Sequence, residues 1–311
     1  MAVNLKGKSL ISIHDLTPEE VDQIFDVART LKLERLMGKY VNPILAGKSF
    51  AMIFEKPSTR TRLSFDIAMH ELGGNPIYLS SNDMQLSRGE SIADTARVLS
   101  RFVHGIQARV FEHQKLVDLA KYGSVPVING LSDREHPCQV LADLFTISEK
   151  FGMVSGLKMV YMGDGSNNMA HSLMHGCAKV GMDLTVCAPS DFLPDPEVMK
   201  EAQEDAEKSG SEITVSHDPK TAVVDADVIY TDVWASMGQE TEHKARVQKM
   251  MPFQVNKELM NLCEGAIFLH CLPAHRGEEV TDDVVDAKYS VVFDEAENRL
   301  HVQKAILALL M

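Results

Sequence analysis

The chain has 311 residues, of which 45% are hydrophobic and 24% charged, so it is long enough for two globular domains. Its formal net charge of −13 argues against binding to nucleic acid or to an anionic membrane, because both favour a basic face. The five cysteines form no C-x-x-C pair, and no uncharged apolar run approaches the roughly 20 residues of a membrane span.

The first predicted element is a helix that begins with a capping box. Thr17 is the predicted N-cap, Pro18 the first helical residue, and Glu20 the residue that closes the box. Apolar residues then recur at helical spacing through LTPEEVDQIFDVARTLKLERL. This pattern predicts an amphipathic helix before the first strand.

Short apolar runs then alternate with longer amphipathic segments. The runs predict ten strands: SFAMIF, PIYLS, GIQARVF and VPVING, followed by LKMVYMG, DLTVCAP, SEITVS, ADVIYTD, AIFLHC and YSVVFDE. This alternation is typical of an α/β protein with parallel sheets and helices on both faces. A long helix from about Gln139 to Phe151 separates the halves, which predicts domains of residues 1–150 and 151–311. A carboxyl-terminal helix of about residues 297–311 is expected to pack back on the first domain.

Most of the unusual local sequences follow predicted strands directly or after one short loop. They are KPSTRTR, NDMQ, SDREHPCQ, GDGSNN, DVWASMG, CLPAHRG and EAENR. In open parallel sheets the ligand crevice lies outside the carboxyl ends of the strands. We therefore expect two doubly wound parallel-sheet domains with the active site in the cleft between them.

The stretch FEKPSTRTRLSF predicts an anion site at the start of a helix. Ser58, Thr59 and Thr61 offer hydroxyl groups, and Arg60 and Arg62 offer guanidinium groups that suit phosphate oxygens. Free N–H groups in the first turn of a helix also bind anions. The alternative is an N-cap serine followed by solvated arginines. The stretch is not a P-loop, so it does not indicate a nucleoside triphosphate.

Three further segments of the chain have both a functional and an ordinary interpretation. His136 can donate to a carbonyl oxygen and Gln139 can hold an amide-like group, although a His-Pro pair is more often a turn. Arg109 ends a predicted strand and is either a second cation for the anion or a surface charge. In GDGSNN the third glycine of a dinucleotide fingerprint is replaced by Asn168, which is either a helix cap or a donor to a ligand carboxylate.

The loops DVWASMG and LHCLPAHRG are also open to two interpretations. Asp232 and Ser236 either accept from a ligand ammonium or cap a helix. Cys271 has no adjacent base and, with Leu272, is interpreted as pocket wall rather than as a nucleophile. The nearby histidines match no metal-ligand spacing, so no metal is predicted.

The motifs S-T-R-T-R, H-P-C-Q, D-x-W-x-S-M-G and H-C-L-P, in this order, resemble the ornithine carbamoyltransferase family over essentially the whole chain. The resemblance implies transfer of the carbamoyl group of carbamoyl phosphate to the side-chain amine of L-ornithine. The products would be L-citrulline and phosphate, in arginine biosynthesis, with no cofactor or metal. It also implies a homotrimer or a multiple of trimers with active sites shared between subunits. Aspartate carbamoyltransferases show H-P-L-P instead of HCLP and lack the S-M-G loop.

The resemblance also implies the site residues by motif. The catalytic residues would be Arg60, Arg109, His136 and Cys271. Carbamoyl phosphate would be bound by Ser58, Thr59, Arg60, Thr61, Gln85, Arg109, His136, Pro137, Cys138, Gln139, Cys271, Leu272 and Arg299. L-Ornithine would be bound by Asn168, Asp232, Ser236 and Met237. Gln85 would reach the site of a neighbouring subunit.

The sequence leaves several substrates and functions open. The amine could be putrescine or an acylated ornithine, each of which lacks half of the zwitterion that Asn168 and Asp232 would bind. The chain could also be an oxidoreductase that binds NAD through GDGSNN, or a ligand-binding protein without catalytic activity. The amino-terminal stretch MAVNLKGKSLISIHDL has no apolar core of a secretory signal, which leads us to expect a cytoplasmic protein.

Overall fold

The structure is a computed structural model that describes residues 2–85, 89–235 and 243–311. The chain divides into two compact units. Unit 1 comprises Met1–Phe145 with Glu297–Met311, and unit 2 comprises Thr146–Ala296. The divisions fall inside two helices, α5 (Pro137–Phe151) and α12 (Val292–Leu310).

Unit 1 contains a four-stranded parallel sheet in the order β2-β1-β3-β4. Its strands are β1 (Ser49–Phe54), β2 (Asn75–Ser80), β3 (Gly105–Arg109) and β4 (Val127–Leu131). Its own helices are α1 (Pro18–Leu36), α2 (Thr59–Glu71), α3 (Ile92–Leu99) and α4 (His113–Tyr122), with a 3-10 turn at Ser81–Asp83. Each helix from α2 to α4 joins one strand to the next, as parallel pairing requires.

Unit 2 contains a five-stranded parallel sheet in the order β7-β6-β5-β8-β9. Its strands are β5 (Lys158–Met162), β6 (Asp183–Cys187), β7 (Ile213–Ser216), β8 (Val228–Thr231) and β9 (Ile267–His270). Its own helices are α6 (Asn168–Val180), α7 (Pro196–Ser209), α8 (Pro219–Ala222), α9 (His243–Met250), α10 (Lys257–Met260) and α11 (Asp282–Val285), with a 3-10 turn at Met251–Phe253. The predicted fold class of two parallel α/β sheets is therefore confirmed.

The predicted first helix is also confirmed. Thr17 Oγ1 accepts a hydrogen bond from the Glu20 N–H, and the Glu20 side chain accepts one from the Thr17 N–H. The two bonds satisfy backbone donors that the first turn of a helix leaves without intrahelical partners.

The tenth predicted strand, YSVVFDE, is wrong. Tyr289 and Val291 each make one backbone hydrogen bond with Phe268 of β9, and α12 begins at Val292. Asp294 and Glu295 lie in the first turn of this helix, where negative charge is favourable. The β-branched run has the local pattern of a strand, but only its first residues pair with the sheet.

Each sheet contributes to its own apolar core. In unit 1 the buried side chains of β1, β3 and β4 pack with those of α3 and α4, among them Ile53, Ile106, Ala96 and Leu116. In unit 2 the corresponding core joins β5, β8 and β9 to α10 and α11, among them Val160, Ile229, Phe268 and Val284. Within the described residues no helix is both long enough and apolar enough to cross a bilayer.

Candidate active site

The predicted site residues of unit 1 lie at the carboxyl ends of three adjacent strands. The chain proceeds from β1 outward to β2 and then returns to the other side of β1 as β3, so the sheet order reverses between β1 and β3. Ligands bind at such switch points in open parallel sheets. Helix α2 begins just after β1, Arg109 ends β3, and His136 follows β4 by a short loop. The sheet therefore brings together residues that are far apart in the sequence.

The start of α2 has the features of an anion site. Ser58 is the N-cap, and its Oγ accepts a hydrogen bond from the Thr61 N–H at 3.4 Å. Ser58 and Arg60 are partly buried, whereas Thr59 is exposed. The first turn of α2 contains no acidic residue, so no carboxylate competes with a ligand for its N–H groups.

Thr61 joins two arginines from other parts of unit 1. Its hydroxyl oxygen accepts a hydrogen bond from Arg299 Nη2 at 2.7 Å and one from Arg109 Nη1 at 3.4 Å. Arg299 is only 3% exposed, although it is charged. Burial of a guanidinium is costly unless its donors are satisfied, and the Thr61 hydroxyl satisfies one donor of Arg299.

A bulge in the sheet sets the position of Arg109. The β3–β4 register shifts between Ala108 and Arg109, so that Gly130 is passed over in the pairing. A Cβ atom on Gly130 would lie 2.0 Å from Nε2 of the buried Gln107. A larger residue at this position would displace the buried Gln107 amide, and the extra residue bends β4 beside Arg109.

His136 is neutral at physiological pH in this environment. Burial lowers its pKa well below the ordinary value, and the positive charges of Arg299, Arg109 and Arg60 lower it further. All three guanidinium groups therefore lie close enough to His136 to lower the pKa of its imidazole. A neutral imidazole can donate an N–H to a carbonyl oxygen without adding another charge to the cluster.

The remaining residues of H-P-C-Q are held in the first turn of α5. Gln139 Nε2 donates to Asp143 Oδ1 at 2.8 Å, and both residues are fully buried. The Cys138 thiol donates to the Asn129 carbonyl at 3.4 Å, and burial raises its pKa to about 12. Its side chain therefore belongs to the core of unit 1, and Pro137 has no N–H to offer a ligand.

The start of α6 and Asp232 lie at the second switch point, between β5 and β8. Asn167 caps α6 by accepting from the Met169 N–H at 2.7 Å, and its Nδ2 donates to Asp232 Oδ2 at 3.1 Å. Asp232 Oδ1 accepts from the Cys271 thiol at 3.0 Å and from the Val233 N–H at 2.8 Å. Asp232 is 7% exposed, so the carboxylate is fixed within a hydrogen-bond network.

A buried ion pair supports this network. Arg246 of α9 donates to Asp164 Oδ2 at 2.6 Å and to the Trp234 carbonyl at 3.2 Å. Asp164 Oδ1 in turn accepts from the N–H and the hydroxyl of Ser166, which shapes the turn before α6. The arginine therefore connects the loop after β5 with the loop after β8.

The loop after β9 has an unusual backbone at Leu272. Its φ is 56°, in the left-handed region that leucine rarely adopts. His270 Nδ1 accepts from the Leu272 N–H at 2.9 Å, so the ring proton lies on Nε2, 3.2 Å from Glu279 Oε1. Such conformations persist where surrounding contacts impose them, often beside functional sites.

One potential ligand atom from each of Asp232, His270 and Cys271 lies within 4.8 Å of the others, which is close enough to surround a metal ion. Both ring nitrogens of His270 already contact protein groups, and the Cys271 thiol donates to Asp232. The donor set is therefore arranged as a hydrogen-bond network rather than as three ligands directed at one ion.

Four predicted residues have no contact described above. Gln85 is exposed on unit 1, just after the 3-10 turn, and Asn168 is partly buried as the first residue of α6. Ser236 and Met237 lie outside the described residues.

The sequence analysis did not identify three of the contact partners. Asp143 had a local signal, because it lies four residues after Gln139 on one helix face. Asn167 has the local pattern of a cap, and nothing near it in the sequence indicates its contact with Asp232. Arg246 is 82 residues from Asp164 in the sequence, so only the fold reveals that pair.

Comparisons with family models, known relatives and solved structures all match carbamoyltransferases. Residues 8–149 match the carbamoyl-P binding domain of the aspartate/ornithine carbamoyltransferase family, and residues 155–310 match its Asp/Orn binding domain. The chain is 58% identical to the ornithine carbamoyltransferase of Thermococcus kodakarensis, covering 100% of this chain and 98% of that one. It is 56% identical to the anabolic ornithine carbamoyltransferase of Pyrococcus furiosus, with the same coverage. The solved structure of the ornithine carbamoyltransferase from Pyrococcus furiosus superposes with a TM-score of 0.96 at 56% identity, covering 100% and 99% of the two chains.

Proposed function

The chain belongs to the aspartate/ornithine carbamoyltransferase family, and we propose that it acts as an ornithine carbamoyltransferase. It transfers the carbamoyl group of carbamoyl phosphate to the side-chain amine of L-ornithine and releases L-citrulline and phosphate. The relatives with this name match the full length of the chain at more than half identity, which supports this substrate pair. The anabolic relative supports a role in arginine biosynthesis.

The observation that carries the proposal is the cluster of Arg60, Arg109 and Arg299 around a neutral His136, beside the start of α2. Carbamoyl phosphate has a dianionic phosphate and a neutral carbonyl group. Guanidinium groups and helix N–H groups suit the phosphate, and the neutral imidazole suits the carbonyl oxygen. As the amine attacks, negative charge develops on that oxygen, and the same donors stabilise it.

The network around Asp232 fits the amino-acid substrate. Asp232 offers a fixed carboxylate to the α-ammonium group of ornithine, and Asn168 offers an amide to its α-carboxylate. Asn167 and the Cys271 thiol hold the Asp232 carboxylate in place. Putrescine lacks the α-carboxylate, so it would leave Asn168 without its ligand contact.

The chemical step needs an uncharged amine. The amine nitrogen attacks the carbonyl carbon, the bond from that carbon to the phosphate oxygen breaks, the electron pair leaves with phosphate, and one proton of the attacking nitrogen passes to the departing phosphate. An alkyl amine with a pKa of about 10.4 is neutral in roughly one molecule in 2,500 at pH 7, at a cost of about 4.6 kcal/mol. The cations gathered for phosphate favour the neutral form of an amine that approaches them, and so assist attack.

The proposal also includes a wider set of expectations. The remaining ligands are Ser58, Thr59, Thr61, Gln139 and Leu272, with Gln85 reaching a neighbouring subunit in a homotrimer or a multiple of trimers. The protein is expected to be cytoplasmic, and the proposed reaction uses neither a cofactor nor a metal. The carbamoyl-phosphate domain would correspond to about residues 1–150 and the ornithine domain to about residues 151–311.

A citrulline assay with a matched pair of arginine variants tests the proposal. Arg60→Ala should lower kcat/KM for carbamoyl phosphate by at least about 10²-fold, as expected when an oxyanion donor is lost. Arg62→Ala removes the same charge two residues later, where the guanidinium lies over the Tyr78 ring at 4.0 Å, and should leave activity near wild type. Equal effects of the two changes would contradict the assigned roles.

The same assay distinguishes the amine substrates. L-Ornithine should give citrulline at a kcat/KM far above that for formation of carbamoyl-putrescine from putrescine. A higher kcat/KM with putrescine would overturn the proposed substrate. Tight binding of NAD with no turnover of carbamoyl phosphate would overturn the reaction class.

A further inference from the structure

Two histidines and one glutamate form a cluster in unit 2 that the proposed reaction does not use. His243 is the first residue of α9, and His275 and Glu278 lie in the turn that follows the H-C-L-P motif. One potential ligand atom from each of the three side chains lies within 4.8 Å of the others. Each side chain is partly exposed, so an ion has access from solvent.

The distances are those of ligand atoms around a small ion. His243 Nε2 lies 3.0 Å from Glu278 Oε2, and His275 Nδ1 lies 3.7 Å from the same oxygen. A tetrahedral zinc site with bonds of about 2.0–2.2 Å places neighbouring ligand atoms roughly 3.3–3.6 Å apart. The two observed separations bracket this range. The two imidazole rings meet edge to face with centroids 6.1 Å apart, so they do not stack against each other.

The Oε2 atom of Glu278 is buried between the two imidazoles. No donor among the described residues forms a hydrogen bond to it, and its nearest charged partner is His243 Nε2 at 3.0 Å, which forms an ion pair with it only when the imidazole is protonated. A buried carboxylate oxygen without a donor is unfavourable unless a charge compensates it. A protonated His243 supplies that charge in the absence of metal, and a cation placed between Glu278, His243 and His275 supplies it when both imidazoles are neutral.

The turn that carries His275 and Glu278 is built independently of any ion. The His275 N–H donates to Glu279 Oε1 at 2.5 Å, and the Glu278 N–H donates to the His275 carbonyl at 2.9 Å. Gln254 Nε2 donates to the carbonyls of Gly277 and Glu278 at 3.1 and 2.8 Å. Two of the three ligands are therefore held in place by the fold, which lowers the entropic cost of binding.

We propose that His243, His275 and Glu278 form a binding site for a divalent transition metal, with Zn²⁺ as the best-suited ion. Two imidazoles and one carboxylate favour zinc and its neighbours over Mg²⁺ or Ca²⁺, which prefer oxygen ligands. Three protein ligands leave a coordination position for water. The metal would link the start of α9 to the turn after H-C-L-P, and so would connect two segments that lie next to proposed substrate residues.

Calorimetric titration of the full-length protein with Zn²⁺, after removal of bound metal by a chelator, tests the site. The wild type should bind one equivalent per chain. His243→Ala, His275→Ala and Glu278→Gln should each weaken binding by at least about tenfold, since loss of even a supporting residue outside the ligand shell has that effect. His70→Ala is the matched control, because His70 pairs with a single carboxylate, Asp66, at 3.4 Å.

A second variant and a second metal separate this site from the Asp232–His270–Cys271 cluster. Cys271→Ser should retain the zinc affinity of the wild type. Bound Co²⁺ should show the absorption bands of nitrogen and oxygen ligands without a sulfur-to-cobalt charge-transfer band. Binding that is lost in Cys271→Ser, or that survives in all three ligand variants, would overturn the proposal. Circular dichroism of each variant establishes that it is folded.

Discussion

Glu135 should contribute progressively less stability as the pH rises toward neutrality. The residue is 1% exposed, and burial raises the pKa of its carboxyl from 4.5 to about 7. Hydrogen bonds from Ser12 and from the Ile13 N–H oppose this increase but do not cancel it. Between the two values the folded chain holds a proton that the unfolded chain has released. The contribution of Glu135 to the free energy of unfolding therefore decreases with pH across this window.

The expected size of the effect follows from the pKa difference. At about 1.36 kcal/mol per pKa unit, a rise from 4.5 to about 7 corresponds to roughly 3 kcal/mol. This cost is absent below about pH 4.5, grows through the window and is complete above about pH 7. Glu135→Gln keeps the size of the side chain and an oxygen that can accept from the Ile13 N–H, but it cannot ionise.

Urea unfolding at several pH values between about 5 and 8, at one protein concentration, measures the difference between wild type and Glu135→Gln. The variant should gain up to about 3 kcal/mol relative to wild type as the pH increases. Glu207→Gln, at an exposed position of α7, should show no such trend. A difference that is constant with pH, or that increases toward acid, would refute the reasoning.

Three further outcomes are expected. The kcat/KM for ornithine should rise between roughly pH 6 and 8.5, because the neutral amine becomes more abundant while the depressed pKa of His136 keeps that imidazole uncharged; a flat pH–rate profile would contradict this. Thr61→Val should reduce kcat/KM for carbamoyl phosphate by about tenfold or more, since Arg109 and Arg299 lose a shared acceptor, and unchanged kinetics would remove Thr61 from the site. Asp232→Asn should raise KM for ornithine by about tenfold or more while equilibrium binding of carbamoyl phosphate stays at the wild-type level; loss of both would indicate a structural role instead.

Some features of the protein could be predicted from the sequence because they depend on neighbouring residues. The capping box of Thr17 and Glu20 and the serine cap at the start of α2 involve residues three positions apart. The alternation of strands and helices likewise follows from local hydrophobic periodicity. The order of the motifs along the chain was enough to indicate the family.

Other features depend on contacts between distant parts of the chain. YSVVFDE can form a strand only where β9 pairs with it. Phe268 of β9 pairs with Tyr289 and Val291, and α12 begins at the next residue. The direction of the Cys138 thiol is set by its neighbour β4, which accepts its hydrogen bond in the core. A sequence pattern carries no information about either neighbour.

Local spacing was therefore enough to predict most elements, and the motifs were enough to indicate the family. The contacts and charge states of the candidate site residues depend on the folded chain. Arg299 meets Thr61 across 238 residues, and Asn167 meets Asp232 across 65. Burial then sets the charge state of His136 and of Glu135. Desolvation and the field of neighbouring charges depend on three-dimensional distance, and parallel strands bring distant residues close at their carboxyl ends.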